Sequence, residues 1–372
     1  MSVAVAGAPA HGSGARVPRL DFELTPSCDH RCAHCYNVWT ASDGDPQAGY
    51  DVRGQLETAG LKALMTKAVT QSGATHLTLT GGEPLLRKDA LELVAHAATL
   101  VPSVVLITNG SHVTPEVAAA LAAARVRSVQ LTLLAGDREL HDRLKGATCF
   151  DDTVRAAVTL ADHHVPTQCC YVAMSENAGE LEGVLELCVA LGIRSLSYNR
   201  MSPTGGAVHH VQRLLPAIDG LEGDLATLER LGRAWGIEAA TAMPLPPCLV
   251  RYERYPWVRF GTCSTTSDSP NLVIDGKGNV RSCNLSSRVL GNLRTQEWAE
   301  IWPSPYVATF AAAVPEVCRG CAQLRSCQSG CKESAHATFG DHAHPEPLLW
   351  AALQPTAAWP VPQSPHDVRR KG

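Results

Sequence analysis

Cys28-Asp29-His30-Arg31-Cys32-Ala33-His34-Cys35-Tyr36 places three cysteines at CX3CX2C spacing, directly after the short run Leu20–Thr25. That run reads as a β-strand, so the three thiols are expected on one strand-to-helix loop. Three thiolates are one short of a closed structural zinc site. A 4Fe–4S cube also takes four ligands, so three cysteines leave one iron open to a substrate or cofactor. The plainer alternative is a zinc knuckle completed by His30 or His34.

The surrounding chain has 372 residues, of which 14 are cysteine. Three cysteines fall in 28–35 and six in 263–331, at opposite ends of the sequence. Grouped cysteines without an export signal bind metal or do redox chemistry more often than they form disulfides. The start, MSVAVAGAPAHGSGAR, has neither a basic n-region nor a long aliphatic h-region, which points to a cytoplasmic protein. Lys+Arg number 32 against 36 Asp+Glu, for a net charge of −4. That balance argues against a nucleic-acid partner, which needs a clustered cationic surface. No apolar stretch approaches the ~20 residues of a membrane span.

Outward from the cysteine loop, strand candidates are Leu20–Thr25, His76–Thr80, Val104–Thr108, Val129–Leu133, Gln168–Ala173 and Ser195–Arg200. Between them lie helical stretches at Gln55–Gln71, Asp89–Leu100, Pro115–Ala124, Asp151–His163 and Glu180–Leu191. Alternation of this kind calls for right-handed βα crossovers and a parallel sheet. After about residue 242, Pro244, Pro246, Pro247 and Pro256 break the helical texture. Asn271–Ile274 and Asn279–Cys283 then read as a hairpin about Asp275-Gly276-Lys277-Gly278. The expected organisation is a disordered segment over 1–18, an α/β core over 19–240, a cysteine-rich domain over 241–350 and a Pro-rich tail over 351–372.

The CX3CX2C loop with its following aromatic resembles the radical S-adenosylmethionine (SAM) superfamily. The resemblance implies a partial (β/α)6, TIM-like radical SAM barrel. It also implies a 4Fe–4S cluster on Cys28, Cys32 and Cys35 whose open iron chelates SAM. Reductive cleavage then yields methionine and a 5′-deoxyadenosyl radical, chemistry that belongs to the cofactor. Leu79-Thr80-Gly81-Gly82-Glu83-Pro84 is similar to the family's GGE motif, with Glu83 accepting from the SAM ammonium beside Gly81 and Gly82. Thr108-Asn109-Gly110 resembles the family's third-strand turn, and Thr132 sits where relatives place a ribose contact. Lys145 stands where relatives put an Arg on the SAM carboxylate, keeping the charge but losing the bidentate fork. His34 and Met201 are further candidate cofactor contacts, with an ordinary core role the alternative for Met201. In a parallel barrel all of these gather at the strand C-termini, on one face.

Cys318-X2-Cys321-X5-Cys327-X3-Cys331, preceded by Cys263 and Gly278-X4-Cys283, resembles the SPASM extension of radical SAM enzymes. That family carries one or two auxiliary 4Fe–4S clusters. Carried over, the first takes Cys263, Cys283 and Cys331, with Cys248 as candidate fourth ligand. The second takes Cys318, Cys321 and Cys327. No cysteine follows Cys331, so the second cluster's fourth ligand is sought in Asp341, His342, His344 or Glu346, with Asp341 preferred, or in a solvent or substrate atom, which would make that cluster a candidate substrate-binding centre. A structural zinc ribbon is the alternative, and it would be colourless.

The resemblance implies an oxidoreductase acting on a precursor peptide in the biosynthesis of a ribosomally made, modified peptide. The runner-up is a dehydrogenase of a small molecule such as an aminocyclitol or sugar, and a non-catalytic metal-binding scaffold is the reading of another class. Asn284 stands where sulfatase-maturing relatives place a catalytic Asp after the GX4C cysteine, which argues against that activity. Only 27 residues precede Cys28, so a peptide would need a separate recognition protein or direct recognition. A reductant such as flavodoxin or ferredoxin is the remaining partner.

Overall fold

The structure, a computed structural model, describes residues 16–38 and 52–359. The expected disordered start and Pro-rich tail therefore lie, for residues 1–15 and 360–372, outside the described residues.

Six parallel strands form the core: β1 (Arg19–Glu23), β2 (His76–Thr80), β3 (Ser103–Ile107), β4 (Ser128–Thr132), β5 (Thr167–Ala173) and β6 (Ser195–Arg200). They match the six expected strands to within two residues at each end. The connecting helices are α1 (Thr58–Ser72), α2 (Ala90–Leu100), α3 (Pro115–Ala123), α4 (Arg138–Lys145), α5 (Phe150–Asp162) and α6 (Leu181–Ala190). Helix α4 was not expected, because RELHDRLK is almost wholly polar. It forms because the Asp137 carboxylate caps it, accepting from Leu140 N at 2.8 Å, and because Gly146 ends it at φ 60°.

The sheet does not stop at residue 240. Strands β7 (Glu238–Thr241) and β8 (Val258–Arg259) extend it beyond β6, and β9 (Asn271–Asp275) pairs parallel with the free edge of β1. Strands β10 (Asn279–Arg281) and β11 (Val289–Asn292) add antiparallel neighbours. The order is β11-β10-β9-β1-β2-β3-β4-β5-β6-β7-β8. The expected hairpin is present as β9–β10, with Gly278 at φ 87° in its turn. Strands β7, β8 and β11 have only two to four residues each, too short for a periodic signal.

The strands alternate apolar and polar residues, and this alternation shapes the interior. Leu20, Phe22, Leu77, Leu79, Val129, Leu131, Leu196 and Tyr198 are buried in one core cluster with residues of the helices. Their neighbours Asp21, Thr78, Thr80, Gln130, Thr132, Ser197 and Asn199 line a cavity of about 1390 Å³. A closed TIM barrel fills this space with branched apolar side chains. Here the lumen is polar and open, larger than the ~300–1,000 Å³ of a small-molecule pocket. Two buried ion pairs tie the later segments to the barrel. Arg281 of β10 meets Glu23 of β1, and Arg200 of β6 meets Glu346 at 2.8 Å with both side chains fully enclosed. Among the described residues, no helix is long and apolar enough to cross a membrane.

Candidate active site

The Cys28–Cys35 loop leaves the C-terminal end of β1 and is pinned from three sides by backbone hydrogen bonds. The turn after β2 donates Gly82 N to Thr25 O and Glu83 N to Ser27 O, each at 2.7 Å. The end of α4 accepts from Arg31 N and Ala33 N, both at 3.2 Å. Ala207 N donates to Cys35 O at 2.9 Å. The glycines are required by this contact. A Cβ on Gly81 would lie 2.4 Å from Thr25 O, and one on Gly82 would lie 2.2 Å from Ser27 O. The GGE turn thus packs against the cysteine loop itself.

Glu83 departs from expectation. Its side chain is fully buried and does not line the cavity. The carboxylate accepts from Leu85 N (2.9 Å), Thr108 Oγ1 (2.8 Å) and Asn109 N (2.7 Å). The side chain is therefore an internal brace between the second- and third-strand turns rather than an acceptor facing the cavity. Asn109, so placed, donates Nδ2 to Asp29 Oδ1 at 2.7 Å, and His112 Nε2 lies 2.9 Å from Asp29 Oδ2. Thr108-Asn109-Gly110 thus reaches the cysteine loop through Asp29.

Cys28, Cys32, Cys35, His34, Gly81, Gly82, Thr132 and Lys145 all line the cavity. Burial pushes the Cys28 and Cys35 thiols up to about 12, and Cys32 upward too. Without a neutralising cation they remain thiols. Lys145 is 4% exposed, and its side chain has no hydrogen-bond or ion-pair partner among the described residues. Three imidazoles share its neighbourhood and are held neutral, first by burial and then by its charge: His30 at about 4, His34 and His141 at about 3. A buried, unpaired ammonium costs free energy until an anion meets it.

Met201 is corrected to a core residue. It is fully buried among Leu134, Leu144, Met174, Ala207 and Leu214, and it does not line the cavity.

The six later cysteines divide into two places. Cys263, Cys283 and Cys331 line the same cavity as the first triad. Cys283 is pushed well up by burial first and then by the charges of Glu333, Cys263 and Cys331. Cys318, Cys321 and Cys327 face a separate small pocket with Pro246, Pro247, Leu324 and Leu349, and the cysteine that joins them is Cys248. The expectation of Cys248 beside Cys263, Cys283 and Cys331 is therefore corrected. So is Asp341, an exposed residue whose Oδ1 accepts from Ala343 N at 2.8 Å in a tight turn. His342 contacts Tyr306 and Glu333, His344 stacks on Phe339, and Glu346 binds Arg200. None of these lines the outer pocket.

Among the described residues, no three cysteine sulfurs lie within 4.8 Å of one another. Four thiolates on one tetrahedral zinc, at Zn–S of ~2.3 Å, would stand about 3.8 Å apart. The described cysteine sulfurs are not gathered at that spacing. Sequence reading missed Asp21, Gln130, Asn199 and Arg200 on the cavity wall, although the polar–apolar alternation of the strands carried the signal. Asp21 is the most informative of these: its Oδ2 accepts from Asn284 Nδ2 and Asn271 Nδ2, both at 2.8 Å. A carboxylate borne by β1 thus lies beside the position where Asn284 stands.

The family model for the Radical SAM superfamily matches residues 22–188, and that for the SPASM iron–sulfur cluster-binding domain matches 263–322, together more than half of the chain. The chain is 28% identical over 335 residues to a PqqA peptide cyclase of Xanthomonas campestris pv. campestris, covering 88% of this chain and 85% of that one. It is 27% identical over 357 residues to an AdoMet-dependent heme synthase of Methanosarcina barkeri, covering 89% and 95%. Among solved structures, anSMEcpe with bound AdoMet superposes with a TM-score of 0.64 at 16% identity, over 90% of this chain and 95% of that one. Streptococcus suis SuiB bound to the precursor peptide SuiA gives 0.67 at 14%, over 90% and 76%. The chain belongs to the radical SAM superfamily and carries a SPASM iron–sulfur cluster-binding domain after its barrel.

Proposed function

We propose that this radical SAM enzyme modifies a side chain of a ribosomally made precursor peptide by oxidation. The observation that carries the reading is one cavity of about 1390 Å³, walled at once by Cys28, Cys32 and Cys35 and by Cys263, Cys283 and Cys331. Cys28, Cys32 and Cys35 would hold the 4Fe–4S cluster that receives SAM, and the later cysteines would hold auxiliary clusters. When bound, these groups supply reductive SAM cleavage and one-electron chemistry.

The chain's own residues do the positioning. Lys145, buried and with no ion-pair partner among the described residues, would meet the SAM carboxylate, and the neutral His30, His34 and His141 would add no competing cation. Gly81 and Gly82 bring backbone to the cavity where a side chain could not fit. Thr132, at the end of β4 on the cavity wall, would contact the ribose. The lumen's hydroxyl and amide side chains, from Thr78 to Asn199, offer hydrogen bonds to an extended polar backbone. The PqqA peptide cyclase relatives and the peptide-bound SuiB structure support a peptide in the same role. Cys248 and Cys321 are exposed, so the outer pocket lies at the surface where a flavodoxin or ferredoxin in the cytoplasm would dock.

The test is anaerobic reconstitution with iron and sulfide, followed by reduction with SAM. Brown protein, a spectroscopic change on adding SAM, and 5′-deoxyadenosine are the expected results. Retention of zinc alone, or no response to SAM, would overturn the assignment. Mass loss from a short peptide encoded beside the protein would identify the substrate class.

A further inference from the structure

The outer pocket contains one cysteine that the C-terminal string does not supply. We propose that Cys248 is the fourth ligand of the outer iron–sulfur group, closing Cys318, Cys321 and Cys327. The inner group of Cys263, Cys283 and Cys331 is then left with one iron open to the cavity. This inference rests on the reading of both places as iron–sulfur sites.

Cys248 reaches the pocket on a stiff segment. Pro246 and Pro247 fix the backbone on its N-terminal side. Leu249 N and Val250 N both turn back to Pro246 O, at 2.9 and 3.1 Å. Leu245 and Val250 are buried on either side and anchor the segment, while Cys248 itself is exposed. Cys248 lines the same small pocket as Cys318, Cys321 and Cys327. Four thiolates complete a cubane.

The same placement empties the inner group of a fourth thiol. Of the other cysteines, Cys149 lies against His141 and Asp142, and Cys169 hydrogen-bonds Cys188 in the barrel core. Cys170 sits within β5, bonded by Asn199. The vacant position of the inner group opens on the cavity where substrate enters, so its ligand is a donor atom of the substrate: a thiolate, amine or carboxylate.

The experiment measures iron, sulfide and electron paramagnetic resonance of the full chain in single and double variants. Cys248→Ala should lose about four irons per chain, roughly a third of the total for three cubanes, with near-ultraviolet circular dichroism unchanged. Adding Cys248→Ala to Cys321→Ala should cost no more iron, whereas adding it to Cys283→Ala should remove a further cluster. The reverse pattern, with Cys248 silent in the Cys283 background, would overturn the assignment. In protein lacking the barrel triad through Cys28→Ala, Cys32→Ala and Cys35→Ala, a small thiol should shift the spectrum of the reduced inner group. No shift would mean that a residue of the chain fills the position. Wild-type protein with no iron at all would instead refute the iron–sulfur reading itself.

Discussion

The two cysteine-bearing regions are built by opposite strategies. At the barrel mouth three cysteines lie within eight consecutive residues, and backbone hydrogen bonds from three elements hold their loop. In the outer pocket the cysteines come from residues 248 to 327, and proline stiffness and side-chain packing hold them. A local loop can be recognised as a string, because its geometry is written in spacing. A site gathered from distant turns depends on tertiary packing, and spacing alone misassigns its members. The barrel mouth is the part that chemistry cannot spare.

Substitutions that strike one region and spare the other sharpen this contrast, and the largest effect is expected at the barrel mouth. Cys32→Ala should abolish 5′-deoxyadenosine formation, while Cys321→Ala should retain uncoupled SAM cleavage and lose modified product; chromatography of the two assays decides. Normal turnover by either variant would erase the distinction between the regions. Next is Glu346→Ala, which leaves Arg200 buried without its partner between β6 and the C-terminal helix Pro347–Leu353. Breaking such a pair costs about 3–5 kcal/mol, to be read as a lower denaturant midpoint. Gly82→Ala forces a Cβ against Ser27 O, an overpacking worth about 1–3 kcal/mol. It should deplete iron from the barrel mouth and leave the outer pocket loaded.

The smallest effect is electrostatic and lies away from every cysteine. Burial pushes Asp224 up to about 7, although the Tyr198 hydroxyl donates to it at 2.9 Å and pulls the other way. The folded chain therefore keeps a proton that the unfolded chain releases near its ordinary value of 3.8. The associated stabilisation is complete below about pH 4 and disappears as pH rises through 7. Each unit of such a shift is worth about 1.4 kcal/mol, and the loss across this pH range is of that order. Asp224→Asn should flatten the fall in Tm between pH 5 and 7.5; an unchanged slope would remove Asp224 as its source.

Much of the barrel could be read directly from residues. Six strands and five helices follow from short β-branched runs alternating with longer helical ones, since local propensity and tertiary packing agree there. Cys28, Cys32, Cys35, Gly81, Gly82, Thr132 and Lys145 were placed on one face because parallel strands bring their C-termini together. Glu83 was misread because its string does not reveal that Thr108 and Asn109 take up its carboxylate. Met201 was misread because a methionine after a strand looks alike whether it faces a lumen or a small apolar cluster. Cys248 and Asp341 were misplaced for a third reason: spacing sets the order of ligands along the chain, whereas β7, β8 and the Pro246-Pro247 turn decide which of them meet.

The parallel seam between β1 and β9 has a practical consequence for anyone wishing to transplant parts of this enzyme. Its pairs run from Arg19–Asn271 to Glu23–Asp275, so the strand that launches the CX3CX2C loop is flanked on one side by sequence from the far end of the polypeptide. Truncation near residue 240 would bare a row of peptide groups on β1, a template for edge-to-edge aggregation. It would also abandon Glu23 without Arg281. The barrel is thus no detachable module, and chimeras are better cut in exposed turns within the later segment than at the change in sequence texture.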